Sequence, residues 1–131
     1  MIKRMKKLIL LSVLLTIVFA SPPDWNVNPA DYEMSANVTC ILQLNFEPTG
    51  DGNIIGAFSG AECVGVVTPI FALDNWIYFL TVYSNTADVE VIFKAYIQSE
   101  DAVADIQEVI YFAPNAVYGS PTDPYVLNAI L

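Results

Sequence analysis

The sequence predicts an all-β chain folded as an antiparallel β-sandwich, and three observations carry that expectation. Apolar and polar residues alternate with period two: Val38, Cys40, Leu42 and Leu44 fall on one side, Asn37, Thr39, Gln43 and Asn45 on the other. Clusters of Gly, Pro, Asn and Asp interrupt the chain at short intervals, and β-branched and aromatic residues fill the stretches between them. Only Ser99–Asp105 (SEDAVAD) has a helix-like composition, and it is short. Strands of this length and spacing point to an immunoglobulin-like or jelly-roll-like sandwich in one domain.

The chain opens with a basic stretch (Lys3, Arg4, Lys6, Lys7), an apolar run from Leu8 to Phe19, and small residues up to Ala20. That is the build of a secretory signal peptide, so residues 1–20 are expected to be cleaved after Ala20. The apolar run is shorter than the roughly 20 residues a membrane span needs. No membrane span is therefore expected in the mature form, which should be secreted, at the cell surface or extracellular, with the periplasm as another destination. Residues 21–36 read as a lead-in segment and 37–131 as the β-sandwich domain.

The first strand starts at Asn37, with Phe46 on the same parity as Val38 and Ile41 as the exception. Glu47 to Asn53 reads as a turn. Ile54–Ser59 and Cys63–Thr68 are short strands joined by Gly60-Ala61. Trp76–Tyr83 (WIYFLTVY) is nearly all β-branched or aromatic and suits a strand buried on both faces. Val89, Val91, Phe93, Ala95 and Ile97 then alternate against Asp88, Glu90, Lys94 and Tyr96. Ile106–Phe112 and Tyr125–Leu131 complete the set.

Charge narrows the partners. The full chain is −9, but residues 21–131 keep Lys94 alone against 14 acidic residues, a net of −13. Such a surface repels phosphate backbones and anionic lipids, which excludes nucleic acid as a partner. The charge serves either solubility or shared divalent cations. Residues 21–131 contain no His and no Arg, which removes His-based acid–base chemistry, Ser/His and Cys/His nucleophile pairs, His-ligated zinc and arginine clamps. Carboxylate pairs alone remain for catalysis, and a small sandwich without a deep cleft makes a poor glycosidase. A non-catalytic protein is expected.

Asp51–Glu62 (DGNIIGAFSGAE) spells much of a calcium loop, with Asp, Asn, Gly and Glu at positions one, three, six and twelve. Position five is Ile55, which offers no side-chain oxygen, and strand-forming residues follow where a helix is required. A looser expectation survives: Asp51 and Asn53 could join backbone carbonyls around a structural Ca2+, or could simply form the turn by bonding their own backbone. Cys40 and Cys63, an even count in an oxidising compartment, favour a disulfide over two buried thiols. A bridge would contribute roughly 3 kcal/mol in the chain-entropy model.

GNIIGAFSGAECVGVV, IYFLTVYSNTADVEVIFKAYI and IYFAPNAVYGSPTDPYVL occur in that order. Together with Trp25, Val27 and Pro29, they resemble a β-sandwich module of secreted bacterial multidomain proteins. The usual Arg after the cysteine is Val64 here, and the neighbouring domains common in such proteins are not in this sequence. The resemblance implies an extracellular, non-catalytic accessory module with no settled ligand. It also implies a hairpin in which Gly56, Gly60 and Gly65 allow tight packing and the turn, Phe58 enters the core, and Cys40 and Cys63 lie on neighbouring strands.

Two roles then compete. A structural or protein-interaction module would join other extracellular proteins or itself through strand edges, and the final strand offers one such edge. A carbohydrate-binding module would stack sugars on surface aromatics, for which Tyr96 and Tyr111 have the out-facing parity. The structural role is preferred, because sugar-binding modules usually ride on an enzyme.

Overall fold

The computed structural model describes residues 21–131, so the expected signal peptide and its cleavage lie outside the described residues. No helix among the described residues is long and apolar enough to cross a membrane. The strands are β1 (Met34–Leu44), β2 (Glu47–Pro48), β3 (Ile54–Ser59), β4 (Glu62–Val67) and β5 (Ile70–Ala72), then β6 (Asn75–Ser84), β7 (Glu90–Ile97), β8 (Ala102–Tyr111), β9 (Val117–Tyr118) and β10 (Tyr125–Ile130). The fold is all-β. One hydrogen-bonded path in the order β4-β3-β7-β8-β10-β1-β6-β5 joins them, with β2 and β9 added beside β1, and it curls into a half-barrel.

The sheet is mixed, which corrects the antiparallel expectation. β10 runs parallel to β1, from Cys40 opposite Tyr125 to Leu44 opposite Ala129, and β9 is also parallel to β1. The long connection after Tyr111 brings the chain back so that β10 enters in the direction of β1. No local pattern reports such a pairing, because its partner lies some eighty residues away.

Period two places the core. Ala36, Val38, Cys40 and Leu42 of β1, Tyr78, Leu80 and Val82 of β6, and Val91, Phe93, Ala95 and Ile97 of β7 all point inward and are buried. The outward side of β6 carries the exposed Phe79 and the half-buried Thr81 and Tyr83, so this strand is not buried on both faces. Phe46 departs from its parity. Asn45 and Phe46 both have positive φ (49° and 69°), so they form a tight turn that lifts Phe46 into solvent. SEDAVAD is not helical: a 3-10 turn, Gln98–Glu100, leads straight into β8. β1 begins at Met34, inside the segment read as lead-in.

One end of the path curls back onto β6, the strand beside its other end. β5 pairs antiparallel with β6, Ile70 opposite Ile77, and β4, which precedes it by two residues, lies against β6 further along. A side chain at Gly65 would come within 2.5 Å of the Thr81 carbonyl oxygen. Two backbones touch there, and only glycine permits it. Pro69, which has no N–H, breaks the run between β4 and β5.

The lead-in packs as a strap. Trp25 meets Phe58 edge-on with ring centroids 5.3 Å apart, above Gly56, where a Cβ would sit 2.8 Å from Trp25 Cε3. Phe58 is therefore buried beneath the lead-in on the outer side of β3, whereas the resemblance implied the core. Further along, Tyr32 donates a hydrogen bond to the Glu62 carboxylate, and Asn85 ties the strap by donating to Asp31 O and accepting from Glu33 N. The bond to Glu62 pushes the Tyr32 phenol up to about 12 from 10. A folded value above the unfolded one means that the stabilisation is complete below pH 10 and is lost as the pH climbs to 12. Burial pushes the Tyr78 phenol and the Cys40 thiol to about 12 with the same sign. Denaturant midpoints are expected to fall between about pH 9 and 12, with a shallower fall in Tyr32→Phe; a midpoint unchanged across that window would contradict these assignments.

Candidate functional site

The outer edge of the path is a hairpin. Leu73 and Asp74 have φ of 51° and 62°, the two positive values of a two-residue type I′ turn, which matches the twist of its strands. Ala72 and Asn75 close the turn. In such a hairpin the closing pair exchanges its hydrogen bonds, and the next pair, Phe71 with Trp76, does not. The N–H and C=O of Phe71 therefore point away from β6, and β5 ends the path with no strand beyond it among the described residues.

The side chains match that edge. Ile70 is 60% exposed, Phe71 56% and Leu73 61%, and Phe71 stands edge-on to Trp76 with centroids 5.1 Å apart. Phe79, also exposed, follows on β6. From Thr68 to Phe79 the one charged residue is Asp74. Phe71 and Trp76 lie on one face of the β5–β6 pair and Ile70 and Phe79 on the other, so exposed apolar side chains flank both faces of the hairpin. Sequence inspection passed over it because IFA is too short to show a period.

The residues singled out by sequence are not brought together. Cys40 and Cys63 are free thiols, which corrects the disulfide. Cys40 lies inward on β1, its thiol against Tyr78 O at 3.6 Å. Cys63 lies on β4, at the other end of the path, with its thiol against Gly65 O at 3.4 Å. Each thiol is turned to a different backbone carbonyl, Tyr78 O for Cys40 and Gly65 O for Cys63, so the two do not meet. Burial raises both thiols above their ordinary value of 9.0, Cys40 to about 12. Ellman's reagent should therefore find two thiols per chain after unfolding and react slowly with the native protein; no thiol after unfolding would restore the bridge.

Asp51 and Asn53 act on backbone. Asp51 Oδ1 accepts from Gly52 N at 2.7 Å. Asn53 is buried, its Oδ1 accepts from Gln98 N at 2.9 Å, and its Nδ2 donates to Gly50 O at 3.4 Å. Both line a shallow groove of about 410 Å³ with Glu47, Thr49 and Ser99, but no group of three or more His, Cys, Asp or Glu among the described residues could hold a metal ion. These bonds make the pair turn formers.

Tyr96 and Tyr111 also part company. Tyr96 has the outward parity expected of it, yet it is only 5% exposed, with its hydroxyl donated to Asp101 Oδ1 at 2.6 Å. Tyr111 is 62% exposed. Tyr96 faces Val103 and Tyr111 faces Glu90, at opposite ends of the β7–β8 pair, so about 20 Å separates them at the strand rise. They form no shared platform.

The final strand is no edge. β10 is held by β1 on one side and by β8 on the other. Glu108 accepts from Asn128 N at 2.6 Å and Asn128 Nδ2 at 2.9 Å, and Asn45 Oδ1 accepts from Leu131 N at 3.2 Å. The edge expected at the C-terminal strand lies instead at β5.

The chain matches no family model, no curated protein and no solved structure.

Proposed function

We propose that this chain is an exported, non-catalytic structural module that acts outside the cell or at its surface by joining proteins through the β5–β6 hairpin. The observation that carries this reading is the coincidence of an unpaired strand edge with exposed Ile70, Phe71 and Leu73 in a stretch whose one charge is Asp74. Apolar patches of this kind on small proteins mark contact surfaces, and a free edge adds main-chain hydrogen bonds to the contact. The resemblance to modules of secreted bacterial proteins agrees with export and with an accessory role.

Carbohydrate binding is the competing reading, and the placement of the aromatics weighs against it. Tyr78 is in the core, Tyr96 is covered, Tyr32 stacks on Tyr83 and Tyr118 packs against Tyr125. Affinity electrophoresis against a polysaccharide panel, run beside size-exclusion chromatography with and without calcium, separates the two. The module is expected to ignore every glycan. A monomer retarded by a glycan, with retardation lost on Tyr111→Ala, would overturn the proposal.

A further inference from the structure

Beyond the hairpin, we infer that the mouth of the curl is a second contact site, one that receives a lysine or arginine side chain of a protein partner. β1 and β7 both run in the direction of β10, β7 by way of β8, so their C-terminal ends lie at one end of the sheet. Their last residues, Leu44 and Ile97, keep the inward parity of the core. Both line the groove of about 410 Å³ that opens there, and the exposed Glu47 and Asp51 add two carboxylates to its lining. The mouth of a curled sheet is a common ligand position, and this volume is at the lower end for one. Apolar walls with carboxylates beside them suit an aliphatic stem that ends in a cation.

Charge selects that occupant. Residues 21–131 carry a net of −13, a field that draws cations and is focused in a concave site of the same sign. Their one basic side chain, Lys94, lines a different cavity with Trp25 and Phe58, so no basic side chain of these residues serves the groove. The hollow around Asp31 and Glu33 differs, because its polar groups already bond one another: Tyr32 donates to Glu62, and Asn85 bridges Asp31 O and Glu33 N. In the groove, Asp51 commits one oxygen, Oδ1, to Gly52 N. An independent mark lies beneath. Tyr78 is fully buried, and its hydroxyl lies beside the Thr49 and Asn53 side chains, which line the groove, yet meets neither in full hydrogen-bond geometry. Buried polar atoms are rarely left so. An ammonium or guanidinium N–H entering the groove supplies the donor that this oxygen lacks.

An NMR titration of the chain from residue 21 reads the site, with blocked amino acids as probes. Acetyl-lysinamide and acetyl-argininamide should shift the amides of Thr49, Asp51, Asn53 and Ser99 saturably, whereas acetyl-norleucinamide, a stem without the charge, should not. Affinity should fall several-fold with added salt, the Debye length dropping from about 30 Å at 0.01 M to about 8 Å at 0.15 M. Glu47→Gln combined with Asp51→Asn should weaken binding about 10-fold, the scale of two partly exposed ion pairs; Asp51→Asn retains an oxygen for Gly52 N. Glu33→Gln combined with Glu90→Gln removes equal charge elsewhere and should weaken it far less. Tyr78→Phe should weaken binding several-fold while the urea midpoint holds or rises, since the lost hydroxyl has no good partner in the free protein. Phe71→Asp, in the hairpin, should leave the titration unchanged, so this site and the hairpin reading stand or fall separately. No saturable shift with any probe overturns the site. Norleucinamide shifts equal to those of lysinamide, or equal weakening by the two double variants, overturn recognition of a cation at the groove. Cadaverine, a free diamine, bound more tightly than either basic amino acid overturns the protein partner. Unchanged binding by Tyr78→Phe overturns the part given to its hydroxyl.

Discussion

Gly65→Ala is expected to lower stability by about 2–3 kcal/mol, the upper range for inserting an atom into a site with no room. In a domain of this size that corresponds to a fall in Tm of roughly 10 °C or more. Elsewhere in a strand the same change would help, because glycine loses the most freedom on folding. The sign here is set by the Thr81 carbonyl oxygen, 2.5 Å from the new Cβ, and by Leu80 Cδ1 at 3.2 Å. The leucine can rotate aside; the backbone oxygen belongs to β6 and cannot. β4 must then draw back from β6, opening the contact through which the path curls back on itself. Gly50→Ala is the control. Nothing lies within 4 Å of a Cβ there, so that variant should melt at or slightly above the parent temperature. Equal melting of the two variants would mean that the seam is not closed by backbone contact.

Phe93→Ala is expected to cost more, about 3–5 kcal/mol, the usual range for emptying a buried aromatic site. Phe93 is among the largest fully buried side chains. It faces Ala57 across β3 and sits where the β7–β8 register shifts, between Ile92 and Lys94. Across that shift β7 advances two residues and β8 four, so the excess lies on β8 and bends it; the Phe93 ring fills the inside of the curl, and its small neighbour Ala57 leaves it room. Total stability for a domain this size lies near 5–15 kcal/mol, so the alanine variant should be marginal at room temperature and bind hydrophobic dye. Phe93→Leu retains most of the volume and should lose less than half as much. Equal losses in the two variants would place the cost in the backbone bulge and not in the cavity. Both experiments read urea midpoints, with an unchanged m-value showing that the unfolded state is not involved.

Tyr78 marks where burial and bonding conflict. Its side chain is buried in the core, and its hydroxyl, beside the Thr49 and Asn53 side chains, meets neither in full hydrogen-bond geometry. An unmade bond in the interior is costly, whereas removing the group is nearly free.

Much of the fold was legible residue by residue. The alternation in β1 and β7 named the buried side chains because a strand's period is local, and burial of one face imposes it. Ile54–Ser59 agreed with β3 at both ends for the same reason. Glu47–Pro48, Ile70–Ala72 and Val117–Tyr118 were passed over, since two or three residues carry no period at all. SEDAVAD, helix-like in composition but short, divides instead between the end of a 3-10 turn, a left-handed Asp101 and the start of β8, where only Asp105 of its charged residues lies on the strand.

The sequence alone determined the β class, the identity of most core positions and the net negative charge, because each depends on residue type and near neighbours. Tertiary structure alone decided that β10 lies parallel to β1 inside the sheet, that Cys40 and Cys63 do not meet, that the lead-in covers Phe58, and that β5 is the free edge among the described residues. Strand order depends on which distant segments meet during closure, and that meeting is settled by packing across the whole sheet, of which no stretch of ten residues carries a record.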